Sequence, residues 1–329
     1  MRDLVRCADV LIENWTPGVP AKYGVDHDAL RPLNPRLILC SLSGFGQTGP
    51  HAHLPGNDLI AFAASGILNM VGYPADLPLY PGGGSLADSI GGVHGFAALC
   101  AALYHRERAG KGQYIDLALA DSLMHLTSAL ITTRSFLGPG YKPARSGAHL
   151  PGLTPCGIFE VRNGYVAITV LIDQFETFVK LLNRPELASD PRFDSPEHRT
   201  ENRLELIKIV EDWLQSVTTR DQAIDLIQGA HILCVPVLDV EGVMNDPHNL
   251  ARNSLQEVEQ PGAGTLKMPK APFRFSEAAV EVRGRAPLLG EDNERILAEI
   301  LHYPKERIED LTRRGMLCSG PSQRRSTET

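Results

Sequence analysis

The sequence predicts an α/β protein in which a parallel sheet is followed by a smaller α+β domain. In the first half, the apolar runs at 8–14 and 35–41 indicate buried strands, and helical segments separate and follow them. In the second half, strand-like runs at 156–162 and 165–170 flank Asn163-Gly164, a strong hairpin signal. The pattern changes near Gly138, so a domain boundary is expected close to residue 140.

The elements of the first half follow from residue type and periodicity. A fragment of helix precedes the strand at 8–14, and the strand at 35–41 ends in a glycine-rich loop, 43–50. Loops at strand ends are the usual ligand-binding positions of a parallel sheet. Helices rich in small residues are expected at 57–70 and 88–108, followed by a strand at 113–119 and a helix at 121–137.

The second half is expected to be mixed. Residues 138–156 form a loop before the hairpin, and helices are expected at 173–183, 199–217 and 220–229. Further strands are expected at 232–240 and 255–259. The stretch 291–315 is expected to be helical, with Ile296, Ile300 and Leu301 on one face, and the polar residues 319–329 to be disordered.

Composition excludes several classes of function. The chain has 329 residues, is 43% hydrophobic and carries a formal charge of −7, which gives no support to nucleic-acid binding. No apolar run reaches the length of a membrane span, and charges interrupt the N-terminal apolar stretch, so no signal peptide is expected. The basic cluster at 105–108 is expected to be a solvated helix end.

Cysteine and histidine spacing argues against bound metals. The six cysteines are scattered, which predicts reduced core thiols in an intracellular protein. The eleven histidines show no ligand spacing, so no metal site is expected. The expected compartment is the cytoplasm, with mitochondrion and peroxisome left open.

The stretch 82–113 carries the strongest chemical signal. A glycine run leads to a single carboxylate, Asp88, and Gly91-Gly92 follow within one turn at the start of a long helix. Two interpretations of Asp88 stay open: a helix cap, which is common for Asp at this position, or a nucleophile that a bulky ligand can approach. Each helical glycine costs about 1 kcal/mol relative to alanine, so close approach by a ligand or another helix is expected.

Eight segments in a fixed order resemble the class III CoA-transferase family, which includes formyl-CoA transferase, the carnitine CoA-transferases and alpha-methylacyl-CoA racemase. The resemblance runs from Asp9 to about Met316. The segments are ADVLIENWTPG (8–18), NPRLILCSLSGFGQTGP (34–50), GNDLIAFAASG (56–66), the Asp88 block through GKGQYIDLAL (110–119), RSGAHLPGLTPCGIF (145–159), NGYVAI (163–168), VPVLDVEGV (235–243) and APLLGEDN (286–293).

The resemblance implies a fold and a reaction. It implies a Rossmann-like CoA-binding domain over 1–140 and a smaller α+β domain over 141–285. A C-terminal helical segment over 286–318 is expected to return to the large domain, and two chains are expected to form an interlocked homodimer. The carboxylate matching Asp88 attacks an acyl-CoA thioester, a mixed anhydride forms, and the returning thiolate gives an aspartyl-CoA thioester. A carboxylic acid acceptor then takes the CoA. Acyl-CoA is therefore a substrate, and no permanently bound cofactor is implied.

The resemblance also implies roles for further residues. Lys22 is expected to hold CoA phosphates, with a solvated helix lysine as the competing interpretation, and Asn14, Pro17 and Gly18 to form a turn beside the CoA. Asn57 belongs to the same site. Apart from the resemblance, the chemistry suggests that backbone amides around Gly91 and Gly92, and in the Ser43-Gly44 loop, stabilise a developing oxyanion. Arg145 and His149 are candidates for the acyl or acceptor pocket, and a surface-loop histidine is the competing interpretation of His149.

Three departures from the family pattern qualify this expectation. Asn57 replaces the histidine of the racemases, and because an amide exchanges no protons near neutral pH, racemisation is disfavoured. The segment 146–152 replaces the glycine run of formyl-CoA transferases, which argues against oxalate specificity. Family members also carry an α/β portion before the position of Met1, so a truncated or non-catalytic subunit is the alternative to an active enzyme.

Overall fold

The computed structural model describes residues 1–81, 84–150, 152–217 and 219–318. It is a mixed α/β chain that divides into two compact units, residues 1–237 and the part from Leu238 onward. The predicted α/β class is confirmed. The domain limits at 140, 285 and 318 stay predictions, and the predicted disordered tail, 319–329, lies outside the described residues, as do Gly82 and Gly83.

A three-stranded parallel sheet with the strand order β1-β2-β3 organises the first unit. Its strands are β1 (Val10–Glu13), β2 (Ile38–Ser43) and β3 (Tyr114–Ala118). Ile12 lies beside Cys40, which in turn lies beside Ile115. The predicted parallel arrangement of the three strands is confirmed.

Helices cover both faces of this sheet. The helices of this part of the chain are α1 (Arg2–Cys7), α2 (Val19–Lys22), α3 (His27–Leu30), α4 (Asp58–Ser65), α5 (Leu86–Ala109), α6 (Leu119–Leu126) and α7 (Ser128–Leu137), with a 3₁₀ turn at Ile67–Asn69. Leu39 packs with Val5 and Leu30 on one face. Alternation along a strand puts Leu117 on the other face, where α5 approaches through Gly95.

Two predicted helices differ in detail. The stretch 121–137 is not one helix, because the backbone leaves helical geometry at the buried Thr127 and divides it into α6 and α7. The end of α5 is not fully solvated, since Arg106 is buried. Its guanidinium donates to the Asp9 carboxylate at 2.9 Å and to the carbonyls of Asp9 and Arg36. Arg106 therefore ties the helix end to the start of the sheet.

A second, antiparallel sheet has the order β4-β5-β6. Its strands are β4 (Cys156–Val161), β5 (Gly164–Thr169) and β6 (Leu233–Pro236). The predicted hairpin is confirmed, but its two-residue turn lies one position earlier than Asn163-Gly164: Val161 pairs with Gly164, so Arg162 and Asn163 form the turn. Asn163 has a positive φ of 66°, and Gly164 is the first residue of β5. The helices of this part are α8 (Phe175–Leu181), α9 (Pro196–Glu201), α10 (Arg203–Ser216) and α11 (Arg220–Gly229), with 3₁₀ turns at Ile172–Gln174 and Pro185–Ala188.

The second unit is built from short elements. They are α12 (Val240–Asn245), α13 (Pro247–Ala251), the hairpin of β7 (Leu255–Gln260) and β8 (Gly264–Pro269), α14 (Asn293–Arg295), a π-helical turn Ile296–Ile300 and α15 (Lys305–Arg313). The strand at 255–259 was predicted without its partner β8. The expected continuous helix over 291–315 is wrong, because a non-helical link through Pro304 separates its two parts.

Two expectations from composition need correction. Cys40 and Cys234 are buried thiols, and burial raises the pKa of Cys234 to about 11, but Cys7, Cys100 and Cys318 are exposed rather than in the core. Helix α5 is long and apolar enough to cross a membrane by length and composition alone. That is weak evidence for a span, because helices that cover a sheet pass the same test, and α5 packs on β2 and β3.

Candidate active site

Asp88 is the third residue of α5, and its side chain is exposed at the start of this 24-residue helix. Ser85 occupies the capping position with a positive φ and makes no side-chain cap. Asp88 is therefore not the N-cap residue of its own helix, which removes the simplest structural explanation for a carboxylate at this position.

Asp58 supplies the missing cap from another helix. Its buried carboxylate accepts hydrogen bonds from the amides of Ala87 (2.7 Å) and Asp88 (3.2 Å), and its second oxygen accepts from the Tyr80 hydroxyl. The neighbouring Asn57 caps α4 by accepting from the Ile60 amide at 3.1 Å. Two consecutive residues thus cap two different helices and fix the start of α5 against the start of α4.

This arrangement gives Tyr80 and Asp58 defined electrostatic roles. The pKa of Tyr80 is raised, first by its hydrogen bond to Asp58, then by burial and by the charges of Asp58 and Asp88. Tyr80 is therefore a neutral donor at physiological pH, and its ring packs edge-on against Phe62 at 5.6 Å. Asp58 accepts hydrogen bonds from two amides at the start of α5. Part of the positive potential at this helix N-terminus therefore stabilises the Asp58 carboxylate rather than the Asp88 carboxylate.

The glycines after Asp88 serve different purposes. A Cβ added at Gly91 would lie 2.4 Å from Leu119 Cδ2, so Gly91 permits α5 to pack on α6. A Cβ at Gly92 would meet no atom within 4 Å. Both residues lie beyond the first turn, where N–H groups bond to the carbonyls four residues earlier. The expectation that their amides stabilise an oxyanion is therefore wrong.

The loop after β2 packs closely on the start of α4. A Cβ at Gly44 would lie 2.8 Å from Gly56 Cα, so the two backbones touch, and the Gly44 carbonyl accepts from the Ala120 amide. The Gln47 amide donates to the Asp116 carboxylate and is not directed at Asp88. Within the described part of the chain, Ser43 Oγ is buried without a hydrogen-bond partner. A ligand role for Ser43 and Gly44 stays a prediction.

The predicted CoA-side residues form a turn after β1. Asn14 is exposed, Pro17 is half-buried, and Gly18 has a φ of 90° at the start of α2. Lys22 is exposed at the end of α2, and no carboxylate among the described residues forms an ion pair with it. Their role in binding CoA stays a prediction.

Arg145 and His149 lie in different surroundings. One Arg145 nitrogen donates to the Pro74 carbonyl at 3.2 Å, and the Gly147 amide donates to the Gly72 carbonyl, so this loop docks on the segment that leads to Tyr80. His149 instead packs its half-buried ring on Phe159 at 4.8 Å, and burial lowers its pKa. The surface interpretation of His149 is wrong, and no described contact joins it to Asp88.

The sequence carried a weak sign of the Asp58 cap and none of Tyr80. Asn57-Asp58 places two capping residues in succession where one helix needs a single cap. The second residue was therefore free to serve another helix. Tyr80 lies in an irregular segment, and no spacing connects it with Asp58.

Comparisons with known proteins identify the family. A sequence model described as CoA-transferase family III matches residues 1–293. The beta subunit of succinyl-CoA–L-malate CoA-transferase from Chloroflexus aurantiacus is 35% identical over 316 residues, which cover 94% of this chain and 77% of that protein. Acetyl-CoA:oxalate CoA-transferase from Acetobacter aceti is 39% identical over 276 residues, covering 83% of this chain and 69% of the relative.

A solved structure agrees with the sequence matches. The crystal structure of a CAIB/BAIF family protein from Brucella suis superposes with a TM-score of 0.80 at 34% identity. The superposition covers 91% of this chain and 77% of the other. The predicted resemblance is confirmed: the chain belongs to CoA-transferase family III.

Proposed function

We propose that this chain transfers CoA from an acyl-CoA donor to a free carboxylic acid, with Asp88 as the nucleophile. The observation that carries the proposal is the exposed Asp88 carboxylate on a helix start that Asp58 and Tyr80 hold in place. A weak nucleophile such as a carboxylate must be positioned accurately, and a capped helix start does this. Family membership supports CoA transfer as the general reaction.

The proposed reaction proceeds through two anhydrides. An Asp88 oxygen attacks the thioester carbonyl carbon, and the carbon–sulfur bond breaks to release CoA thiolate. The thiolate attacks the Asp88 carbonyl carbon, which releases the donor acid and leaves an aspartyl-CoA thioester. The acceptor carboxylate attacks this thioester, and the thiolate then attacks the acceptor's carbonyl, which restores Asp88. Each step conserves charge and needs no external oxidant or base.

The surrounding residues have proposed roles on either side of Asp88. Lys22, with the turn at Asn14, Pro17 and Gly18, binds CoA phosphates as a point charge. Arg145 binds the acceptor's carboxylate, and its docking on the segment leading to Tyr80 supports a position near Asp88. No permanently bound cofactor is proposed. Transfer is favoured over racemisation, since the Asn57 carbonyl oxygen already accepts from Ile60.

We propose a dicarboxylic acid as acceptor. Support comes from the names of the two relatives, which specify L-malate and oxalate. The departure at 146–152 favours the longer dicarboxylic acids over oxalate. A second carboxylate on the acceptor would give Arg145 a partner that a monocarboxylic acid lacks.

The proposed assembly is an interlocked homodimer with a Rossmann-like CoA-binding domain, located in the cytoplasm. Exposed apolar side chains support a partner surface on α7, where Phe136 is 88% and Leu137 is 55% exposed. Because one relative is named a beta subunit, a pairing of unlike chains is the alternative. Light scattering of the purified chain distinguishes a homodimer from a monomer that awaits a different subunit.

A transfer assay tests the proposed function. Succinyl-CoA or acetyl-CoA is incubated with malate, glutarate, oxalate or acetate, and new CoA esters are identified by mass spectrometry. We expect a dicarboxylate ester with the wild type and none with Asp88→Asn. The exposed Asp121 provides the control Asp121→Asn, which should keep full activity. Absence of every product with a folded, dimeric wild type contradicts the proposal and favours a non-catalytic subunit.

A further inference from the structure

Gly92 is a glycine that the chain's own structure does not require. It lies inside α5 and is not among the residues with positive φ, so the backbone there does not need glycine. A Cβ added at Gly91 would clash with Leu119, and one at Gly95 would lie 3.4 Å from Leu117 Cδ2, an ordinary contact. A Cβ at Gly92 would meet open space. Glycine is a poor helix former, so an alanine would make α5 more stable.

The direction of helical side chains connects this open space with Asp88. Gly92 is four residues after Asp88, so the two positions are neighbours on one helix face, about 5–6 Å apart at Cβ. Side chains on a helix lean toward its N-terminus and cover the preceding turn. Any side chain at position 92 would therefore stand over the surface next to the Asp88 carboxylate.

We propose that Gly92 determines acyl specificity: the acyl group of the donor lies on the bare helix surface at Gly92 while Asp88 attacks its carbonyl carbon. This inference rests on the proposed function. The exposed Val93 beside it offers apolar contact for carbon atoms of the acyl group. A residue larger than glycine at position 92 fills the space that these atoms need, and the penalty grows with the size of the acyl group.

Binding of unreactive thioethers tests the inference without relying on chemistry. The probes are CoA, S-ethyl-CoA and S-benzyl-CoA, titrated by calorimetry into the wild type, Gly92→Ala and Gly92→Val. We expect CoA affinity to change less than twofold in both variants. The affinity for S-benzyl-CoA should fall about tenfold in Gly92→Val, and the affinity for S-ethyl-CoA should fall less. Gly92→Ala should also raise the melting temperature by about 2–4 °C, which shows that lost binding is not lost folding.

Ala101→Val is the matched control, an exposed position on α5 more than three turns from Asp88. It should leave all three affinities unchanged. Equal losses for CoA and both thioethers would overturn the inference, because the glycine would then serve the pantetheine arm. The inference would also be overturned if the Gly92 variants kept unchanged affinities, or if they changed oligomeric state rather than thioether affinity. It would likewise be overturned if the wild type bound neither thioether. Wild-type thioether binding without transfer to any acceptor would defeat the proposed function alone.

Discussion

Replacing Asp58 tests how the chain holds its reactive carboxylate. Asp58→Ala removes the acceptor for three hydrogen bonds, from the amides of Ala87 and Asp88 and from the Tyr80 hydroxyl. Ala87 is fully buried, so its amide cannot turn to water after the substitution. We therefore expect a lower free energy of unfolding for the first unit and a displaced Asp88 carboxylate.

The magnitude follows from these groups. Loss of a helix cap costs about 1 kcal/mol, and a buried donor left without a partner costs about 1–3 kcal/mol. The contributions overlap at one helix start, so we expect Asp58→Ala to lower the free energy of unfolding by about 2–4 kcal/mol. Asp58→Asn keeps an acceptor for the amides but loses the charge, which is worth about 0.3–1 kcal/mol at a helix start.

Urea unfolding and the transfer assay together measure these effects. Tyr80→Phe is the partial control, because it removes one hydrogen bond and should cost about 1 kcal/mol. When the acyl-CoA concentration is varied, Asp58→Asn should reduce kcat more than it raises KM, since the misplaced group is Asp88 rather than a CoA contact. A stability change below about 0.5 kcal/mol for Asp58→Ala would refute the cap, since such values are usual for surface substitutions without a structural role.

Three further predictions concern the frame around the site. Arg106→Ala should lower the free energy of unfolding by about 1–3 kcal/mol in urea titrations, because the carbonyls of Asp9 and Arg36, just before β1 and β2, lose a buried donor. The exposed Arg108→Ala should stay within about 0.5 kcal/mol. Gly112→Ala should cost at least about 2 kcal/mol in the same assay, because its Cβ would lie 1.9 Å from the Leu37 carbonyl oxygen, and equal stability would contradict the close approach. Since burial lowers the pKa of His149 below 6.5, the unfolded chain takes up that proton first, so stability should fall as pH drops below about 6.5. His149→Gln should weaken this dependence between about pH 7.5 and about pH 5, and an unchanged dependence would show that His149 does not contribute.

Local signals predicted the elements well. Strands form at the apolar runs around Ile12 and Leu39, and a hairpin forms at the Asn163-Gly164 signal. Each of these features is determined by residues that are adjacent in the sequence. The length of α5 was also predictable, because small residues continue to the glycine that ends it. Failures occurred where distant residues decide the outcome. Nothing near Arg106 in the sequence indicates that Asp9 will lie beside it.

The candidate site was predicted only in part, for the same reason. Asp88 could be singled out from its glycines, but the residue that holds it, Asp58, lies 30 positions earlier. Gly91 and Gly92 look alike in the sequence. Only the packing of α6 shows that Gly91 accommodates Leu119 and that Gly92 faces open space. Packing against a neighbouring helix therefore explains Gly91, whereas a ligand at Gly92 stays a prediction.

Intact-protein mass spectrometry tests the central claim, that Asp88 carries the CoA. The protein is incubated with succinyl-CoA or acetyl-CoA without acceptor, and then divided between buffer and hydroxylamine. We expect a mass increase equal to CoA minus water, removed by hydroxylamine, in the wild type and in Asp121→Asn but not in Asp88→Asn. An adduct that persists in Asp88→Asn, or no adduct in a wild type that performs transfer, would contradict an aspartyl-CoA thioester at this position.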